Sequence, residues 1–379
     1  MPYAASLSTH TDPGVAVAEA VGEIIDKLGP SPDLALLFVS GAFVTQVKDL
    51  VHAVNEILKP GTLLGSTAIS VVSGEKEVED QTAISMFAGN FNGYATPIRL
   101  GEGVPSSDGW ETGEGQEFDS PHTLLVLADP FSFQTESAIG AWRSLFPDLQ
   151  IIGGLASAGN APQVNRLVLD DQIFDSGAVG VLLSGPVRVE PLVSQGCRPI
   201  GSPLIVTKAD GNLIYELAGQ KALSRLQEVV SELSDDERSL VSSGLHVGRV
   251  IDEHRSEFGR GDFLIRGVLG ADQNSGVVAV GDQIPVGSTI QFQVRDADSA
   301  HEDLHLLTSS IVAGDGALLF TCNGRGQNLF ETPHHDARTL APLVSGGALS
   351  GMFCAGEIGP VGPHSFLHGF TASAAIFHD

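Results

Sequence analysis

Two stretches of this chain match each other at a fixed offset. Leu36-Leu37-Phe38-Val39 corresponds to Leu124-Leu125-Val126-Leu127, and Leu64-Gly65-Ser66-Thr67-Ala68 to Ile152-Gly153-Gly154-Leu155-Ala156, both 88 residues further on. Segment 83–90 then matches 178–185 at an offset of 95, so one loop insertion of seven residues separates otherwise duplicated units. Short, almost wholly apolar runs of this kind read as buried strands.

The rest of the pattern follows from these anchors. Asp12-Pro13 opens a helix that Gly29-Pro30 stops. A strand at 34–39, a helix at 42–58, a strand from 63 and strands near 82–88 and 94–100 form the first unit, repeat 34–100. Gly, Ser and acidic residues make 101–121 a connector, and the same order returns over 122–195. A weaker third copy begins at Ala317-Leu318-Leu319-Phe320, with a helical stretch at 334–344 and a strand at 350–353. Between copies two and three lie a hairpin signal at Asp210-Gly211, a helix over 220–233, a capping box from Ser234 to Glu237, and strands near 244–250, 262–269, 276–281 and 288–296. Adjacent strands with few strict strand–helix–strand alternations predict α+β, or mixed-sheet α/β, over a doubly wound sheet. The expected division is a lead-in helix at 1–33, an internally repeated N-terminal domain at 34–197 and a C-terminal α+β domain at 198–379.

Charge narrows the function. With 20 Lys+Arg against 46 Asp+Glu the net charge is −26, although charged residues make up only 17% of the chain, so the acidity reflects scarce basic residues. Such a chain repels phosphate, which argues against nucleic acid and anionic membrane surfaces as partners. No apolar run is long enough for membrane insertion, and no Lys or Arg precedes Lys27 to form a secretory n-region, so the expectation is a cytoplasmic protein. Cys197, Cys322 and Cys354 form no CxxC pair. His334-His335-Asp336 places neighbouring side chains on diverging directions, with Asp336 suited to a helix cap, and phosphate-loop, dinucleotide and serine-hydrolase motifs are missing, so no metal or cofactor is expected.

Five segments, in order, carry a family resemblance: Leu127-Ala128-Asp129-Pro130-Phe131; Ile152-Gly153-Gly154-Leu155-Ala156-Ser157; Ser194-Gln195-Gly196-Cys197-Arg198-Pro199; Phe320-Thr321-Cys322-Asn323-Gly324-Arg325-Gly326; and Gly356-Glu357-Ile358-Gly359-Pro360 followed by Phe366-Leu367-His368-Gly369. Together they resemble the FIST proteins over residues 34 to 377. The resemblance implies an intracellular sensory module for a small ligand, with amino acids or similar metabolites as suspected ligands and a signalling protein as a further partner. It supplies no established catalytic residues.

Site residues therefore rest on chemistry. Cys322-Asn323-Gly324-Arg325-Gly326 follows a buried strand, so its glycines let backbone N–H groups approach a ligand while Arg325 offers a fork for a carboxylate. The bland alternative ties Arg325 to a structural carboxylate. Glu357 either accepts a ligand ammonium or is that carboxylate. Asp129 and Gln195 end strands of the second repeat and are candidates for a shared mouth, with His368 as a further candidate. Arg266 and Arg295, inside alternating strand patterns, are expected on the solvent face. The leading expectation is a non-catalytic metabolite sensor. The rivals are a cysteine-dependent enzyme acting on a small amide, with Cys322 activated by His368 or His335 and the amides of 324–326 as oxyanion donors, and a protein-interaction scaffold.

Overall fold

A computed structural model describes residues 2–101, 122–255 and 257–378. The predicted connector lies, beyond residue 101, outside the described residues. Two compact units emerge: one comprises Met1–Val193, Leu304–Leu367 and Thr371–Asp379, the other Ser194–Asp303 with His368–Phe370. The class is mixed α+β.

The first unit begins with β1 (Tyr3–Ser8), α1 (Pro13–Leu28), β2 (Leu34–Ser40), α2 (Val47–Ile57), β3 (Thr62–Ala68), a hairpin of β4 (Val71–Ser73) and β5 (Lys76–Val78), and β6 (Ile84–Gly89). The second copy runs β7 (Tyr94–Leu100), β8 (Thr123–Ala128), α3 (Thr135–Leu145), β9 (Gln150–Leu155), a hairpin of β10 (Leu167–Leu169) and β11 (Gln172–Phe174), and β12 (Ala178–Ser184). After β13 (Arg188–Gln195) the chain builds the second unit from β14 (Cys197–Asp210), β15 (Leu213–Leu217), β16 (Gln220–Lys221), α4 (Ala222–Glu232), α5 (Asp235–Ser243), β17 (Leu245–Val250), β18 (Phe263–Asp272), β19 (Val277–Val280) and β20 (Thr289–Arg295). It returns through α6 (Ala297–Ser310) to β21 (Gly316–Cys322), α7 (His335–Leu340), β22 (Leu349–Cys354), a hairpin of β23 (Glu357–Val361) and β24 (His364–His368), and β25 (Thr371–His378).

The strand orders show one pattern three times: β1-β6-β2-β3-β10-β11, β7-β12-β8-β9-β23-β24 and β13-β25-β21-β22-β4-β5. In each sheet two central strands are parallel, and a third strand lies antiparallel beside the first of them. The last two positions are always a hairpin donated by another copy. The first copy's hairpin joins the third sheet, the second copy's joins the first, and the third copy's joins the second. The third copy, weak in sequence, has the same topology as the other two.

Period-2 alternation explains why the central strands are apolar throughout. On β2, Leu36 and Phe38 enter a core shared with Leu125 and Leu127 of β8 and Leu318 and Phe320 of β21. The alternate residues pack outward: Ala35, Leu37 and Val39 under α1 and α2, Leu124 and Val126 under α3, and Ala317 and Leu319 with Leu304 of α6 and Leu340 of α7. Phe38 meets Phe320 edge-on, with ring centroids 6.2 Å apart, joining copies one and three. Sequence reading missed β1, because Tyr3–Ser8 is too short and mixed to signal a strand by itself. It missed most of the three-residue hairpin strands for the same reason.

The second unit is an antiparallel barrel. β14-β20-β17-β18-β19-β15 pair in that order, and β14 pairs with β15 to close the ring. The predicted hairpin, the helix, the capping box and the four strands of this segment all appear. Arg266 departs from its expected place on the solvent face: its side chain is only 10% exposed, and its Nε lies 3.2 Å from Asp282. The scarce cations of this chain are drawn to local carboxylates.

Gly351 occupies a point of close approach between the parallel strands of the third sheet. An added Cβ there would overlap the Leu319 carbonyl, whereas one added at Gly140 within α3 meets nothing within 4 Å. Gly351→Ala is therefore expected to destabilise the protein by about 3 kcal/mol. Gly140→Ala should stabilise it by about 0.5–1 kcal/mol, both read from urea unfolding midpoints.

Candidate functional site

The first central strand of each copy ends at a comparable place, the C-terminal edge of a parallel strand pair. In the first copy Ser40 closes the strand, and its hydroxyl accepts the Ala83 N–H at 2.9 Å. Beyond it Thr9, Thr11, Gly41, Ala42 and Asp80 line an open cleft of about 530 Å³. In the second copy Asp129 follows the strand. One carboxylate oxygen accepts Ser132 Oγ at 2.6 Å and the Phe131 N–H at 3.2 Å, and the other accepts Asn165 Nδ2 at 3.0 Å. Asp129 is fully buried and holds its own loop together.

The third copy differs chemically. Cys322 ends β21 and is 6% exposed, and the Gly324 N–H donates to its Sγ at 3.4 Å. Asn323 is exposed, and its N–H continues the strand pairing by donating to the Cys354 carbonyl. Gly326 has φ +55°, and a Cβ there would meet the Glu79 carboxylate at 2.7 Å, so this turn favours glycine. Glu79 accepts the Gln327 N–H with both carboxylate oxygens, at 3.2 and 3.1 Å.

Arg325 is completely buried. Its Nε and Nη2 each donate to Asp336 at 2.8 Å in a bidentate pair, and its guanidinium lies 5.2 Å from the Phe330 ring centroid. The structural carboxylate is thus Asp336 and not Glu357. Asp336 is no helix cap either, since it lies inside the first turn of α7 and also accepts from Thr321 Oγ1 at 2.7 Å and meets His335 Nδ1 at 2.9 Å. Burial alone would raise its pKa, but Arg325, His335 and Thr321 hold the Asp336 carboxyl well below the usual carboxylate range.

Two more carboxyls complete the site. Glu357, fully buried on β23, accepts the Thr371 N–H at 3.1 Å and its hydroxyl at 2.8 Å. The Cys322 thiol, which donates to Asn323 Oδ1 at 3.8 Å, and Arg325 both lie near enough to favour ionisation of this carboxyl. Burial outweighs these and pushes Glu357 up to about 8. Glu77, on the hairpin donated by the first copy, accepts the Ala337 N–H at 2.9 Å, while burial and the Asp336 charge push it up to about 8. Cys354, paired in register with Cys322, is pushed further above the ordinary thiol value by burial and by Glu357. Three polar atoms here have no hydrogen-bond partner: Arg325 Nη1, Glu357 Oε1 and Glu77 Oε2.

The structure thus joins Cys322, Gly324, Arg325 and Glu357, and adds Asp336, Glu77 and Cys354, which sequence reading did not rank. Gln195 and His368 fall in the barrel unit. There the Gln195 side chain donates to the Phe263 carbonyl at 2.7 Å, and His368 is 3% exposed. Among the described residues no group of three or more His, Cys, Asp or Glu could hold a metal ion, and no helix is long and apolar enough to cross a membrane.

Two family models together span most of the chain: the FIST N domain matches residues 33–220 and the FIST C domain residues 222–360. The chain belongs to the FIST family, whose domains are sensory, ligand-binding modules of signal transduction. An uncharacterized protein of Mycobacterium bovis is 42% identical over 393 residues, covering 100% of this chain and 99% of the relative. An uncharacterized protein of Mycobacterium tuberculosis is 42% identical over 391 residues, covering both chains completely.

Removing one member of the Arg325–Asp336 pair would strand the other as a buried charge. Arg325→Met is expected to cost about 3–5 kcal/mol in urea unfolding. The raised carboxyls carry a pH signature of their own. Between the ordinary carboxylate value of 4.5 and about 8 the folded state holds protons on Glu77 and Glu357 that the unfolded chain has released. Their contribution to stability is therefore greatest at the acidic end of that window and is lost as pH rises to 8. His246 in the barrel, pushed down to about 4 by burial and Arg295, works in the opposite sense below 6.5. The informative comparison is with the Glu77→Gln, Glu357→Gln double variant, whose melting temperature should fall less between pH 5 and pH 8 than that of the wild type.

Proposed function

We propose that this chain is a non-catalytic cytoplasmic sensor whose ligand is an amino acid or a similar small metabolite, bound at the end of the third copy's central strands. The observation that carries the reading is that three buried polar atoms lack partners, Arg325 Nη1, Glu357 Oε1 and Glu77 Oε2, with both carboxyls close enough to Arg325 to be influenced by its charge. Buried groups of this kind each cost about 1–3 kcal/mol when left unmatched. A zwitterion would satisfy both kinds, its carboxylate taking the remaining Arg325 donor and its ammonium taking the two carboxyls. Asp336 already balances the Arg325 charge, so the site favours a ligand with a cationic end. A signalling protein that responds to the occupied state is the partner this reading implies.

The sensor reading sets a direction for the pH dependence. An ammonium pairs with ionised Glu357, which at neutral pH still holds its proton because burial has pushed it up to about 8. Binding should therefore release protons and tighten by up to about tenfold per pH unit between 6 and 8. Thermal-unfolding screens against the common amino acids at millimolar concentration would identify the ligand, since one present at 100 times its Kd adds about 2.7 kcal/mol. Calorimetry in buffers of differing ionisation enthalpy would then count the protons. Glu357→Gln is expected to weaken binding at least about tenfold. A folded Glu357→Gln protein that binds as tightly as the wild type would refute the reading.

A further inference from the structure

The sensor reading leaves the Cys322 thiol without a role. We propose that Cys322 is a nucleophile and Glu357 its proton acceptor, so that the site takes an acyl group from an activated carboxylic acid derivative, a thioester or active ester. Three observations beyond the cysteine itself support this. The thiol lies close enough to the Glu357 carboxyl to favour its ionisation, and the Glu357 Oε1 is fully buried without a hydrogen-bond partner. The Gly324 N–H donates to Sγ at 3.4 Å, which stabilises a developing thiolate. Arg325 adds a positive charge close enough to interact with the thiol. By contrast Cys354, the next thiol in register, lacks an N–H donor of this kind and bonds the Met352 carbonyl at 3.6 Å.

An ordinary carboxylate is a poor base for a thiol, because its pKa lies about four units too low. Burial removes most of that mismatch for Glu357, so proton transfer between the two groups is close to balanced. The groups facing it are Cys322 from β21, Cys354 from β22, Thr371 from β25, and Arg325, itself bound to Asp336 of α7. In the step proposed, the Sγ lone pair forms a bond to the acyl carbon, and the thiol proton passes to the Glu357 carboxylate. The carbon–oxygen or carbon–sulfur bond breaks, and its electron pair leaves with the departing group, which a thiolate completes by taking the proton from Glu357.

The inference uses the same site as the sensor reading, and the two separate experimentally. The full chain would be treated with iodoacetamide at pH 5–9 and, in parallel, with p-nitrophenyl acetate, and mapped by mass spectrometry. Cys322 should be alkylated at least tenfold faster than Cys197 or Cys354, with a rate that rises through about pH 8. It should also gain a hydroxylamine-labile acetyl group. Glu357→Gln should slow both reactions about tenfold and move the inflection above pH 8. If that variant does not fold, Glu357→Asp, which keeps the carboxyl but withdraws it by one methylene, should give an intermediate rate. Equal labelling of the three thiols, or an unchanged rate in the folded Glu357 variant, overturns the inference and leaves the sensor reading intact. A reactive, acylated Cys322 in a protein that no amino acid stabilises would sustain the inference and remove the sensor reading.

Discussion

The constraint on which the first unit depends is that a sheet apolar on both faces must be covered twice. Helices cover one face of each sheet, and the other faces can only cover one another. Leu36 and Phe38, Leu125 and Leu127, and Leu318 and Phe320 therefore meet in one core to which all three copies contribute. Cyclic exchange of the hairpins tightens this dependence, because each sheet is completed by strands belonging to another copy. An isolated copy would expose both its inward face and an unpaired strand edge. The copies consequently stand or fall together, and the barrel is inserted between β13 and α6, where the third copy's sheet tolerates a long excursion of the chain.

Repetition gives three comparable strand ends whose polar groups are bonded differently. Ser40 accepts a local backbone N–H, and Asp129 accepts a backbone N–H, Ser132 and Asn165. At the third end Arg325 Nη1, Glu357 Oε1 and Glu77 Oε2 are left without partners. The exchange of hairpins is also what assembles this end: Glu77 arrives from the first copy, 260 residues before the Ala337 amide that it accepts. The topology that closes the core thus carries a carboxyl into the site.

How much of this was legible follows from the range of each signal. The duplicated runs of β2, β3, β8 and β9, the capped helix at Ser234 and the barrel strands announce themselves over a few residues, and all appear where periodicity placed them. The glycine turn and the burial of Arg325 could be anticipated from Cys322-Asn323-Gly324-Arg325-Gly326 by the same local logic. Its partner could not. Asp336 lies only 11 residues on, but its place near a helix start suggested a cap, and nothing local distinguishes a first-turn aspartate facing solvent from one facing a buried guanidinium. Glu77 was further out of reach, because its place depends on a hairpin leaving its own sheet.

The charge balance of the site explains why these groups should be considered together. Arg325 and Asp336 form a pair that is neutral as a whole and locked by two parallel hydrogen bonds, with Asp336 raising Glu77 and Arg325 favouring ionisation of Glu357. Burial is the largest influence on both acids, which is why both carboxyls sit near 8 and not near 4.5. A carboxyl poised at that value changes its protonation in response to small additions of charge. A ligand ammonium would ionise it, and the thiol of Cys322 can exchange a proton with it at little cost. Either event depends on the same circumstance: the buried cation is already spoken for by Asp336, and the buried acids are not.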